Sequence, residues 1–437
     1  MDADTLNAWL AHIEALHAKP IDLGLERMRE MVDRMGIRFS CPVVTVAGTN
    51  GKGSTCAMLE SVWRAAGYKT AMHTSPHLLR FNERAVVDGK EVSDEALVAA
   101  FRQVEEARGG MSLSYFEYTA LGILKLFQEA NPDVVILEIG LGGRLDAINT
   151  IDADAAIVCA VGVDHVAFLG PDREVIAWEK AHVYRPGCPA VCADPDVPAK
   201  LAAYAREIGA DLMTTPADFA PTVHADGTFD MRVRGVEWKH LPAPALRGAN
   251  QYRNAAGVLA VVASMMKRLP VTEAQIAEGL RTVRVTARFE LVTTDPCPTV
   301  LDVGHNPQAA DVLADNIEKT REPGSMEIAV CGMLHDKDIV SVTEKLKDTF
   351  DAWFTATLTG PRAAVAQELD DDLAKAGVPS DKIHSNEDVA SALSGARALA
   401  RASRRENPGR PVRITVFGSF VTVSAALELL AAEGIRR

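Results

Sequence analysis

The stretch Val43-Val44-Thr45-Val46-Ala47-Gly48-Thr49-Asn50-Gly51-Lys52-Gly53-Ser54-Thr55 decides the fold. Its first five residues, rich in β-branched side chains, predict a buried strand, and the glycines and Asn50 mark a turn. Ser54 and Thr55 then open an amphipathic helix running through Ala66. A strand, glycine loop and helix in that order aim backbone N–H groups and the positive end of a helix at one point, which suits a polyphosphate. Lys52 adds a full positive charge and Ser54 a hydroxyl for Mg²⁺. A bare Gly-Lys-Ser match is otherwise an ordinary surface turn, but here strand and helix flank it as a phosphate loop requires. The expected ligand is a nucleoside triphosphate.

The chain has 437 residues, beyond the size at which one hydrophobic core stops growing, so two domains are expected. A formal charge of −13 argues against a nucleic-acid partner or an anionic membrane surface, both of which need a basic footprint. Seven cysteines, odd in number and without C-x-x-C spacing, read as reduced thiols of a cytoplasmic protein. The N-terminus opens with Asp2 and Asp4, without a basic start or a long apolar run, so neither export signal nor membrane span is expected.

Two further strand ends carry chemistry. Val134 to Leu137 is an apolar run closed by Glu138, as in a parallel strand covered on both faces. A carboxylate there, beside the phosphate loop, is where a Mg²⁺ ligand is needed, since magnesium takes a few hard oxygens and keeps several waters. Ala155 to Val161 leads into Asp164-His165; a lone histidine at such a place is either a satisfied surface residue or part of a site. From Thr299 onward strands and helices alternate, which predicts a second parallel α/β domain.

The loop departs from the usual phosphate-loop pattern, because Gly53 intervenes between Lys52 and the hydroxyl and the opening glycine is missing. In that form it resembles the ATP loop of the Mur ligase superfamily, and most closely its folate branch of dihydrofolate and folylpolyglutamate synthases. The resemblance extends from Asp22 to Ser419. It implies an N-terminal P-loop ATPase domain with a parallel-rich sheet, residues 1–287, and a C-terminal Rossmann-like α/β domain, residues 288–437.

The resemblance also implies site residues. ATP would lie on Thr49, Asn50, Gly51, Lys52, Gly53, Ser54 and Thr55, with Asn254, Arg288, Asp302 and His305. Asn254 matches the nucleotide-contacting position better than Asn250, which reads equally as a helix cap. Two Mg²⁺ ions would be held by Ser54, Ser75, Glu138 and His165, although imidazole is an unusual choice for magnesium. Lys180 on an apolar helix would be carbamylated, where an ordinary lysine would extend to water. The pterin substrate would meet Asp22, Leu23, Phe116 and Glu117, although Asp22 by itself reads as a helix N-cap and the aromatic pair as core. The Arg144-Leu145-Asp146 turn is similar to that of members that make dihydrofolate as well as extend it; read alone, it is a flexible connection.

The implied reaction is ATP-dependent joining of L-glutamate to dihydropteroate or a reduced folate through an acyl phosphate, with Lys52, Lys180 and His165 at its centre. The expected state is a monomer. The alternatives are a synthase that only polyglutamylates, another Mur-type amino-acid ligase, and a GTP switch. The last is disfavoured because no Lys-x-Asp guanine element occurs in the chain.

Overall fold

The computed structural model describes residues 5–17, 19 and 22–435; Asp2 and Asp4 lie outside them. Two compact units result. The first comprises Met1–Val163, Leu169–Ala245 and Gln251–Arg284, the second Asp164–Phe168, Leu246–Asn250 and Val285–Arg437.

The first unit is built on an eight-stranded sheet. In spatial order its strands are Lys90–Glu91, Ala85–Val87, Thr70–His73, Val134–Glu138, Val43–Ala47, Ala155–Val158, Pro189–Cys192 and Asp211–Thr214. The six from Thr70–His73 onward are parallel, and the first two close one edge antiparallel. All five residues of Val43–Ala47 are buried, as expected of a central strand covered on both faces. Each such Val contributes roughly 1.5–3 kcal/mol relative to an exposed one.

The helix after the glycine loop runs Lys52–Ala65 and is buried continuously from Ser54 to Trp63. It is not amphipathic as expected, because neighbours cover both of its sides. Helix Glu273–Thr282 packs closely against it at Gly279, where a Cβ would stand 2.6 Å from Val62 Cα. Ser61 Oγ donates to the Gly279 carbonyl at 2.8 Å.

A separate three-stranded antiparallel sheet, Phe219–Val223, Phe229–Val233 and Val236–Leu241, also belongs to the first unit. Asp226 and Gly227 turn its first hairpin, with Gly227 at φ +83°.

The second unit has a six-stranded sheet ordered Glu290–Val292, Thr299–Leu301, Val412–Phe417, Met326–Cys331, Ala352–Ala356 and Ile383–Asn386. Only its first strand is antiparallel. Phe350, Trp353 and Phe417 anchor the core, with Phe350 ring centroids 5.1 Å from Trp353 and 5.6 Å from Phe417. Among the described residues no helix is long and apolar enough to cross a membrane.

Candidate active site

The glycine loop sits at the carboxyl end of Val43–Ala47, where open parallel sheets bind ligands. Gly51 has φ +89°, and a Cβ there would lie 2.8 Å from Asn254 Oδ1, so both conformation and space demand glycine. This left-handed residue is the N-cap, so the helix begins at Lys52, two residues before the expected Ser54. Gly53 and Ser54 therefore lie in the first turn, where backbone N–H groups have no intrahelical acceptor. Thr49 ties the loop to the segment that follows the neighbouring strand Ala155–Val158: its N–H donates to Ala160 O at 2.7 Å and its hydroxyl to Gly162 O at 2.9 Å. Lys52 Nζ donates to Thr49 O at 3.2 Å. Asn254 is buried against the loop and donates to Gln251 Oε1 at 2.9 Å.

Beside the loop, Glu138 pairs in register with Val46 and is buried at the tip of its strand. Its Oε2 accepts the Ser75 N–H at 3.1 Å, which brings together two residues expected at a metal. Burial first, and the Glu138 charge next, push the Cys56 thiol well up. A buried carboxylate at the tip of a strand beside the phosphate loop is a hard-oxygen donor of the kind that fits a divalent cation of the magnesium type. Lys180, also buried, donates from Nζ to the Gly48 carbonyl at 3.1 Å. It does not extend to water.

Asp164 and His165 fall in the short segment grouped with the second unit. His165 has φ +52°, uncommon for a side chain of its size, and its N–H donates to Asp164 Oδ1 at 2.7 Å. Asp164 meets Lys337 Nζ at 2.6 Å, Asn306 Nδ2 at 3.1 Å and His305 Nε2 at 3.4 Å. Burial pushes its carboxyl up, but the His305 hydrogen bond and the Lys337 charge outweigh that and hold it far below the usual range. Asp302 accepts the N–H groups of Phe289 at 2.9 Å and Gly304 at 2.7 Å. Burial nonetheless leaves its carboxyl raised. The Arg288 guanidinium lies 5.5 Å from the Phe420 ring centre. Asp164 and Lys337 were not assigned from sequence, since nothing local distinguishes an acid in a loop from one that pairs 173 residues away.

The residues expected at the pterin also converge. Asp22 is no N-cap: the helix Glu26–Arg34 is capped at Leu25, which makes no side-chain cap bond. Asp22 instead pairs with Arg27 Nη1 at 2.8 Å. Arg27 turns its other nitrogens to Glu117, with Nε 3.0 Å from Oε1. Glu117 is buried, and its Oε2 also accepts the Ser114 N–H at 2.8 Å in a capping box. Gly24 N–H donates to Leu145 O at 3.3 Å, which joins the segment containing Leu23 to the Arg144-Leu145-Asp146 turn. Phe116 lies over Gly140, whose added Cβ would stand 2.8 Å from its ring.

That turn is not a flexible connection. Gly143 packs against the Lys180 helix, where a Cβ would be 2.6 Å from Glu179 O. Arg144 binds the Glu179 side chain at 2.9 Å. Asp146 is buried and accepts the N–H groups of Leu141 at 2.8 Å and Ile148 at 3.0 Å. Burial pushes its carboxyl up to about 6, against those bonds. Nothing local in the sequence marks Arg27; the Ser-x-x-Glu pattern at Ser114 and Glu117 is a local signal for the capping box at the end of the network it serves.

A phosphate loop on a parallel sheet, an acid at the neighbouring strand tip and a second α/β unit are the parts of a Mur-type ligase. A family model described as "Mur ligase, glutamate ligase domain" matches residues 287–418. The dihydrofolate synthase/folylpolyglutamate synthase of Escherichia coli K12 is 41% identical over 98% of this chain and 96% of its own length. An E. coli FolC structure in complex with DHPP and ADP superposes with TM-score 0.90 at 39% identity, covering 99% of both chains. A bifunctional folylpolyglutamate synthase/dihydrofolate synthase with Mn, AMPPNP and L-glutamate bound superposes with TM-score 0.87 at 36% identity, covering 98% of both. The chain belongs to the dihydrofolate synthase/folylpolyglutamate synthase family.

Proposed function

We propose that this chain uses ATP to join L-glutamate to dihydropteroate, forming dihydrofolate, and to reduced folates, forming polyglutamates. A carboxylate oxygen of the pteroyl substrate attacks the γ-phosphorus of ATP, ADP leaves, and an acyl phosphate forms. The amine of glutamate then attacks the acyl carbon, loses a proton, and expels inorganic phosphate as the amide closes. Phosphoryl transfer of this kind asks mainly for positioning and charge neutralisation.

The observation that carries the reading is the meeting of three elements at the carboxyl ends of the central strands: the Lys52 loop, the Glu138–Ser75 contact and the Lys180–Gly48 hydrogen bond. In this reading the N–H groups of residues 51 to 54 cradle the phosphates and Lys52 neutralises them, while the Thr55 N–H is taken by Gly51 O at 2.9 Å. Asn254, Arg288, Asp302 and His305 contact the nucleotide. Ser54, Ser75, Glu138 and His165 would hold Mg²⁺, which screens phosphate charge when bound. Asp22, Leu23, Phe116, Glu117 and the Arg144 to Asp146 turn form the pterin side.

Lys180 is proposed to be carbamylated. A carbamate keeps one N–H on Nζ, so the bond to Gly48 O survives while the new carboxylate supplies an anionic oxygen. Clear density for an unmodified ammonium in a metal-bound crystal would remove this part.

ADP release measured with dihydropteroate plus glutamate, and separately with a reduced folate monoglutamate plus glutamate, tests the whole. Activity with both is expected. Activity with the folate alone reduces the chain to a polyglutamylating synthase, and activity with neither rejects the assignment.

A further inference from the structure

We propose that His224, Asp230 and His240 form a binding site for one borderline divalent metal ion, of the zinc type, on the solvent face of the small three-stranded sheet. None of the three belongs to the ligase site. Their placement follows from the pleat. Along the central strand Phe229, Met231 and Val233 are buried, so Asp230 points to the opposite face. Thr222 stands across from Asp230, and His224, two residues on, shares its side.

His240 arrives by an irregularity. The pairing of the last two strands shifts between Phe229↔Leu241 and Met231↔Trp238, so Lys239 and His240 together oppose Asp230. Such a bulge re-aims a side chain. His240 also has φ +51°, a strained conformation for a histidine, pinned by its N–H donating to Asp230 Oδ1 at 2.8 Å.

The donor atoms are close enough for one ion. One ligand atom from each residue lies within 4.8 Å of the others. His224 Nε2 is 3.0 Å from Asp230 Oδ1, near the roughly 3.3 Å between ligands of a tetrahedral zinc with bonds of about 2.0 Å. That nitrogen is buried but not aligned to hydrogen-bond the carboxylate, as an orphaned ligand atom would be. The imidazole rings of His224 and His240 are 5.2 Å apart. His240 is exposed, so its side chain has room to close the remaining gap, and water would complete the shell. Two imidazoles and one carboxylate suit zinc, copper or nickel; magnesium prefers oxygen alone.

The test is a Zn²⁺ titration by calorimetry of the full-length, untagged chain, with Mg²⁺ and ADP saturating so that the ligase site is occupied. Wild type should bind one Zn²⁺ with Kd below about 10 μM. His224→Gln and His240→Asn should each weaken that event about tenfold or more, with ligation rates within about twofold of wild type. Asn tolerates the positive φ of position 240, so that variant keeps the bulge. Zinc bound equally well by both variants, no such event in wild type, or loss of zinc together with ligase activity would each overturn the proposal.

Discussion

Lys180 Nζ donates a 3.1 Å hydrogen bond to the carbonyl of Gly48, a residue 132 positions earlier at the mouth of the glycine loop. Both are buried. The bond couples the helix Arg173–Ala181 to the end of the central strand. Lys180→Met keeps the volume but leaves that carbonyl unpaired, a loss of about 1–3 kcal/mol in stability. Its ligation rate should fall about 100-fold or more, a size usual for removing one charged group from a transition-state site. In Lys180→Ala, added acetate should restore part of the rate if a carbamate carboxylate is what the site requires. No rescue at any acetate concentration would argue for the bare amine.

Gly51→Ala should damage nucleotide binding before anything else. The new Cβ would meet Asn254 Oδ1 at 2.8 Å on a residue at φ +89°. Strain of about 1–3 kcal/mol corresponds to roughly a 5- to 150-fold rise in the Kd for ADP. Calorimetry gives the number directly, and an unchanged Kd would place the nucleotide away from this loop.

The Asp22–Arg27–Glu117 network predicts a different kinetic signature. Arg27→Met strips the buried Glu117 of its cation, so stability should drop by about 3 kcal/mol. If the network positions the pterin, KM for dihydropteroate should rise about tenfold or more, with KM for ATP little changed. Equal changes in both constants would assign Arg27 to folding alone.

His73 makes stability pH-dependent. Burial lowers its pKa from 6.5 to about 4, opposed by its hydrogen bond to Arg84 O at 2.8 Å. The unfolded chain therefore takes up this proton first on acidification. The contribution is complete above pH 6.5 and is lost as pH falls toward 4. His73→Asn keeps a donor toward Arg84 O without the titration. Between pH 7.5 and 5.0, wild type should lose about 2 kcal/mol more than this variant in urea unfolding. Parallel losses would show that His73 does not carry the effect.

Much of the site lay in short local patterns. The glycine loop and the acid ending Val134–Glu138 each follow from neighbours within a dozen residues, because strand, turn and helix signals are themselves local. Family resemblance supplied roles that no local signal carries, such as those of Asn254, Arg288 and Lys180. Asp22 by itself reads as a cap, not as the ion-pair partner of Arg27, because the two look alike until the partner is known.

What sequence alone settles here is the order of elements and the chemistry at their ends. Which ends meet follows from parallel crossovers, which place groups more than a hundred residues apart within hydrogen-bonding distance. The contacts of Lys180 with Gly48, Asp164 with Lys337, and Gly24 with Leu145 exist only once the chain has closed on itself. Their partners are chosen by packing in three dimensions, and no periodicity along the chain encodes that choice.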